Sequence, residues 1–442
     1  MSSINLVLII IASVFDGKIS TFLILCSIFI LGMLFSLFLS KDKRILGFKL
    51  FEIVYFAYVL SALIVSTSFS ASDNFMLSDA SRYIENYMHR TQLYFDSEDF
   101  YDCYFQFSDS NLLYNFYLNV AAMFANKSLD GLSVYGMTLL QTGWGVLSSI
   151  VLFRILARHV KKERAYRYTL VFLLCSMFLF YSIVIVRDII ICFLYLCAFN
   201  IIDKKFSWLG VINLLLLIFL TWGIRLYSGV FLFTFLAYYL YLRFRKSRWK
   251  SIATILFLVV VLFAVSGMMT SSLMEQTTAD LQHNEELSAE RSAGGLVSTL
   301  LSLPPGISQL AIVLFTMIRP LPPLGIYVNV ETFSHFIMAT ICLVAGFFWF
   351  VVFYSLCYKL FVKKCLFKIP FENIIFLAIC MVFLLAAATH PDIRRMLPVF
   401  PVLFVQYVVL CEKGRTKLFS SIESKMLIVL YIALAIVLLF FM

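Results

Sequence analysis

Apolar runs able to cross or nearly cross a lipid bilayer recur along almost the whole 442-residue chain. They fall at about 4–15, 19–40, 47–67, 132–157, 168–186, 189–202, 207–223, 226–243, 251–270, 336–360, 371–389, 396–411 and 423–441. A spanning helix needs roughly 20 mostly apolar residues. Hydrophobic residues make up 62% of the chain and charged residues only 14%, against about 45–50% and about 25% in soluble domains. So few charges cannot cover the outside of a water-soluble fold, and the solvent for most of the surface is lipid. In lipid a backbone must satisfy its own hydrogen bonds, and runs of this length do so as helices. The expectation is an all-α, polytopic integral membrane protein of about thirteen transmembrane helices, one membrane domain over 1–442. A nucleic-acid-binding domain, a secreted disulfide scaffold and a single-anchor receptor are excluded.

The formal charge of +10 matters less than its sidedness. Lys41, Lys43 and Arg44 form one basic connection, and Arg158, Lys161, Lys162, Arg164 and Arg167 another. Lys204 with Lys205, the run from Arg243 to Lys250, Lys359 to Lys368, and Lys413 to Lys417 complete the set. Basic connections stay cytoplasmic, and all six fit one side if thirteen runs cross with the N-terminus inside. Met1 to Val14 has no basic leader and no small-residue cleavage site, so it reads as a retained first span rather than a signal peptide. The cysteines lie almost all in apolar runs at no metal-like spacing, Cys103 excepted, and imply neither a disulfide framework nor a zinc site.

Two further apolar stretches, about 111–125 and 306–318, break this alternation if they cross. They read as re-entrant or interfacial helices on the outer side; the alternative is that one spans and one short run does not. The outer face then carries two large loops, about 68–131 and 271–335, and short turns at 187–188, 224–225 and 390–395. No internal repeat or low-complexity tract appears.

Lysine dominates the inner connections and arginine the outer ones: Arg82, Arg90, Arg187, Arg225, Arg291, Arg319, Arg394 and Arg395. Charge bias explains the lysines. It does not explain Arg187, Arg225, Arg319, Arg394 and Arg395, which sit at the ends of apolar runs. Ionisable groups at such depth are costly and face a bundle interior or a watery cavity. A guanidinium offers a planar fork to phosphate oxygens and loses its water more easily than an ammonium. Converging arginines therefore suit a pyrophosphate on a lipid headgroup. The plainer reading is that each arginine snorkels or pairs with a nearby acid, Arg187 with Asp188 and Arg394 with Asp392.

Two stretches carry groups able to move protons. In Leu77 to Arg90, helical spacing puts Asp79, Arg82, Tyr83 and Asn86 on one face. Carboxylate, arginine and tyrosine together orient hydroxyl-rich substrates, with Asp79 as a general base; a solvated amphipathic helix fits the pattern equally. The turn from Thr389 to Arg395 gathers His390, Asp392, Arg394 and Arg395, and His390 or Asp392 could deprotonate an acceptor hydroxyl. A simple connecting turn with a capping Asp is the alternative. The aromatic run from Tyr94 to Phe107 could stack on sugar faces, although interfacial belts are also aromatic. The polar segment Gln276–Gly295 would suit a lid, and the triplet at Asn126 carries no weight as a glycosylation sequon. Nothing in the sequence points to a metal or a nucleotide.

The layout resembles the Wzy-type oligosaccharide repeat-unit polymerases and, more loosely, the EpsG-like exopolysaccharide proteins. The likeness lies in Asp-Ala-Ser-Arg-Tyr-x-x-x-Tyr (79–87), Val186-Arg-Asp188 between paired spans, Ile318-Arg-Pro320 after a large outer loop, and His390 to Arg395 before a late span. The resemblance implies an inverting, metal-independent glycosyltransferase of GT-C-like fold in the bacterial inner membrane, with its active site facing the periplasm and no cofactor. It implies Arg187, Arg225, Arg319, Arg394 and Arg395 as pyrophosphate clamps, and Asp79, Asp392 or His390 as the base. The partners implied are an undecaprenyl-pyrophosphate-linked oligosaccharide and membrane lipids, with room for a chain-length regulator and no nucleic acid. An O-antigen ligase or another polyprenyl-phosphate-dependent transferase is the alternative within the class. A lipid-linked oligosaccharide flippase is the alternative outside it, but a transporter should show internal repeats.

Overall fold

A computed structural model of the chain describes residues 1–67, 84, 112–244, 256, 260, 303–304, 306–317, 332–363, 370–388, 393–413 and 425–433. Among the described residues every regular element is a helix. In chain order these are α1 (Ser2–Asp16), α2 (Ile19–Leu37), α3 (Lys41–Thr67), α4 (Leu112–Ser128), α5 (Val134–His159), α6 (Lys162–Cys175), α7 (Met177–Ser182) and α8 (Asp188–Ile202). There follow α9 (Trp208–Ile224), α10 (Leu226–Phe244), α11 (Ile307–Thr316), α12 (Phe333–Phe361), α13 (Phe371–Ala387), α14 (Ile393–Met396), the 3₁₀ turn η1 (Leu397–Val399) and α15 (Phe400–Lys413). Residues 425–433 are also helical, and the run at 251–270 lies almost wholly outside the described residues.

Among the described residues five helical stretches are long and apolar enough to cross a membrane, and α1, α8, α9, α11 and α13 are shorter apolar helices. The chain is a polytopic helical membrane protein. Its helices begin where side chains can cap them: Ser133 accepts from the Gly136 N–H at 2.8 Å, Ser207 from Gly210 at 3.0 Å, and Thr332 from His335 at 3.3 Å. Lys18, at the start of α2, offers no acceptor. Asp130 from the α4–α5 connection supplies it, taking the amide hydrogens of Ile19 and Ser20.

The outward face of α9 shows what surrounds the bundle. Trp208, Leu209, Ile212, Leu216, Phe219 and Trp222 are all exposed. The two tryptophans stand about 21 Å apart along the helix, as aromatic residues do at the two edges of a bilayer. With apolar solvent outside, burying leucine drives little association; close packing and polar contacts between helices do that work. Trp349 of α12 accordingly stacks on Phe400 at 3.8 Å between ring centres, and Tyr58 of α3 donates to the Leu173 carbonyl of α6 at 2.9 Å.

Contacts between connections sort the helix ends into two sets. At one end Lys43 reaches the Ala157 carbonyl at 2.8 Å, Arg158 and His159 share Asp203, Arg164 meets Glu412 at 3.3 Å, and Lys413 meets Asn373 at 3.3 Å. These are the lysine-rich connections. At the other end Asp16, Lys18, Asp130 and Ser133 meet, and so do Asp188, Arg225 and Arg394. Both termini of helix α4 lie at this second end. Its Leu113 lies against Gly223 at the close of α9, and Asn126 near its other terminus accepts from the Leu132 N–H at 3.3 Å. Between its termini Tyr117 donates to the Leu140 carbonyl at 3.1 Å, so α4 packs against the first turns of α5. Helix α11 instead packs beside the middle of α12, where Trp349 donates to the Met317 sulfur at 2.7 Å and Tyr354 to the Leu314 carbonyl at 3.3 Å.

Candidate functional site

The run 168–186 is not one continuous helix. α6 ends at Cys175, Ser176 caps α7, and α7 ends at Ser182. The segment from Ile183 to Val186 then runs non-helically while fully buried, to the N-terminus of α8. Thr142 of α5 holds the near side of this break by donating to the Ser182 carbonyl at 2.9 Å. Non-helical backbone at membrane depth persists only where protein or water satisfies it. The break delivers Arg187 and Asp188 to the first turn of α8, where a carboxylate also meets the positive end of the helix dipole.

Arg225 arrives by a different route. It is a single extended residue (φ −156°, ψ 112°) between α9 and α10, closing both helices. Its N–H donates to the Thr221 carbonyl at 2.8 Å, and its carbonyl accepts from Gly229 at 3.1 Å. The hairpin is tight because Gly229 has no side chain. A Cβ there would lie 2.4 Å from the Trp222 Cα and 2.5 Å from its nitrogen. The guanidinium turns inward, stands 5.2 Å from the Tyr227 ring centre, and donates from Nη1 to Asp188 Oδ1 at 2.5 Å. Arg394, in the one-turn helix α14, brings its Nε to 3.8 Å from Asp188 Oδ2. Arg395 follows it in the chain.

Asp188 is thus the hub of the site, and the sequence reading did not single it out. Arg187 is its neighbour in the chain, and the carboxylate also reaches guanidiniums from two other connections. Arg394, assigned by proximity to Asp392, lies beside Asp188 as well. The signal was present: an acid interrupting the apolar stretch Met177–Phe193 is as costly as the arginine beside it. Among the described residues, Asp188 Oδ2 and Arg225 Nε are fully buried and make no hydrogen bond. Buried polar atoms in that state mark places where water or a ligand group belongs.

Two arginines thus converge on one buried aspartate, with Arg187 and Arg395 adjacent in the chain. Asp79, Arg82, Tyr83, Arg319, His390 and Asp392 lie outside the described residues. Ile84, beside Tyr83, is helical and partly buried against the core. No family model, no curated protein and no solved structure matches this chain.

Proposed function

We propose that the protein is a membrane glycosyltransferase that polymerises undecaprenyl-pyrophosphate-linked oligosaccharide repeat units at the arginine-bearing face of the membrane. The observation that carries this reading is the meeting of Arg225 and Arg394 on the buried Asp188, with Arg187 and Arg395 next to them in the chain. Two arginines converging on a buried acid at membrane depth are suited to a pyrophosphate carried by a lipid.

The chemistry follows from charge. As the bond from the anomeric carbon to the pyrophosphate oxygen breaks, negative charge grows on the leaving group. Fixed guanidiniums stabilise that charge without having to reorganise. Asp188 orients Arg225 and draws Arg394 towards the same point. An acceptor sugar hydroxyl attacks the anomeric carbon and gives its proton to a base, for which Asp79, His390 and Asp392 are the sequence candidates.

Purified protein given its authentic lipid-pyrophosphate-linked repeat unit should yield a ladder of products on a gel. Arg394→Ala and Arg187→Ala should collapse it. Transfer to a different, non-carrier acceptor with no ladder would make the protein a ligase. Folded protein that produces no transfer but moves the lipid-linked glycan between leaflets would replace the enzyme reading with a flippase.

A further inference from the structure

The opposite end of the bundle contains a cavity of about 470 Å³, enclosed by the ends of α5, α8, α10, α13 and α15. Its floor is apolar and aromatic, from Phe199, Ile202, Phe376 and Val409, with the buried amide of Gln406 and the hydroxyl-bearing Tyr238 among them. Its mouth is cationic. Lys204, Lys205 and Lys413 line it and are exposed. Two carboxylates also line it, Asp203 and Glu372, against the three lysines; Asp203 is shared between Arg158 and His159 at 2.8 Å each. Partial burial, and then the neighbouring cations Arg154 and Arg158, hold the Lys204 ammonium below its ordinary range. Three lysines against two carboxylates leave the lining cationic.

The level of this cavity is marked by Trp208, exposed on the lipid-facing side of α9 just beyond Phe206, which also lines the cavity. Tryptophans in that position sit among lipid headgroups. A headgroup-level cavity with an apolar floor and a lysine mouth fits an amphiphile whose charged part is a phosphate.

We propose that this cavity binds the phosphate headgroup of an anionic phospholipid, with Lys204, Lys205 and Lys413 holding the phosphate. The site is independent of the glycosyl-transfer reading and lies at the other end of the molecule. Basic pockets between membrane helices are a general solution for such headgroups.

The test counts bound lipid on the full-length protein. Protein in mild detergent is mixed with equal amounts of palmitoyl-oleoyl phosphatidylglycerol and phosphatidylcholine, and retained lipid is read by native mass spectrometry. Wild type should prefer the anionic lipid, and K204A/K205A/K413A should lose that preference by about tenfold. The control K41A/K161A/K162A removes the same charge from the same end but outside the cavity lining, and should keep it. Equal losses in both triple variants would reduce the effect to diffuse charge and overturn the site. A wild type with no preference, but with a melting temperature raised by inorganic phosphate, would overturn the lipid source in favour of a soluble phosphate. If the cavity triple variant does not fold, the single variants Lys204→Ala and Lys413→Ala carry the same comparison.

Discussion

The carboxylate of Asp188 and the guanidinium of Arg225 meet at 2.5 Å with side-chain exposures of 1% and 3%. Two opposite charges this deep are held by each other. Removing one leaves the other buried and uncompensated, which costs on the order of 3–5 kcal/mol, whereas replacing both by neutral groups of similar volume is often tolerated. Asp188→Asn and Arg225→Gln should each lower the thermal midpoint in detergent strongly. The double variant should recover much of the loss. Additive losses in the double variant would show that the two side chains do not act as a pair.

Arg394 stands differently toward the same carboxylate. At 3.8 Å and 17% exposure it is close enough to feel Asp188 and open enough to meet a ligand. Arg394→Ala should therefore leave the melting temperature close to wild type while cutting turnover of the lipid-pyrophosphate substrate by about 10²-fold, the scale seen when one charge-stabilising donor is lost. Arg394→Lys should restore binding better than turnover, because ammonium cannot reproduce the planar fork. A loss of activity that tracks loss of folded protein would assign Arg394 to structure alone.

The hairpin that presents Arg225 depends on one missing side chain. Gly229→Ala puts a methyl group 2.4 Å from the Trp222 Cα, a backbone atom that cannot rotate away. The α9–α10 pair must spread. Overpacking of this kind costs about 1–3 kcal/mol, and here it also shifts Arg225 from Asp188. The expected outcome is a lower melting temperature together with loss of the proposed polymerising activity. Gly229→Ala protein with wild-type stability and activity would show that the hairpin yields elsewhere.

Much of the helix order was legible because lipid imposes a simple rule, that long apolar runs become helices. Run 132–157 is α5, 207–223 is α9, and 336–360 is α12, each within a few residues. The break at Ser176 was not legible, since a single serine inside an apolar run costs little and carries no period of its own. Nor was the role of Asp188. Sequence proximity favours pairing it with Arg187, and only the folding of three connections onto one another brings Arg225 and Arg394 to it. The arginines as a set were readable from their depth; which carboxylate gathers them depends on tertiary structure.

Asp130 offers a test of the connections at the arginine-bearing end that needs no substrate. It receives the amide hydrogens of Ile19 and Ser20, while Lys18 donates to its carbonyl, so one residue fastens the α4–α5 connection to the start of α2. Partial burial pushes its carboxyl up, but the two amides and the Lys18 charge outweigh this and leave it below the ordinary carboxylate range. A carboxylate depressed in the folded state stabilises the fold above its unfolded value, near pH 4. That contribution is lost as pH falls through the depressed folded value. The difference in melting temperature between wild type and Asp130→Asn should be constant from pH 7 to about pH 5 and shrink below about pH 4. Wild type should be the more stable on the plateau. A difference that grew on acidification, or that never existed at neutral pH, would show that Asp130 does not fasten α2 through its charge.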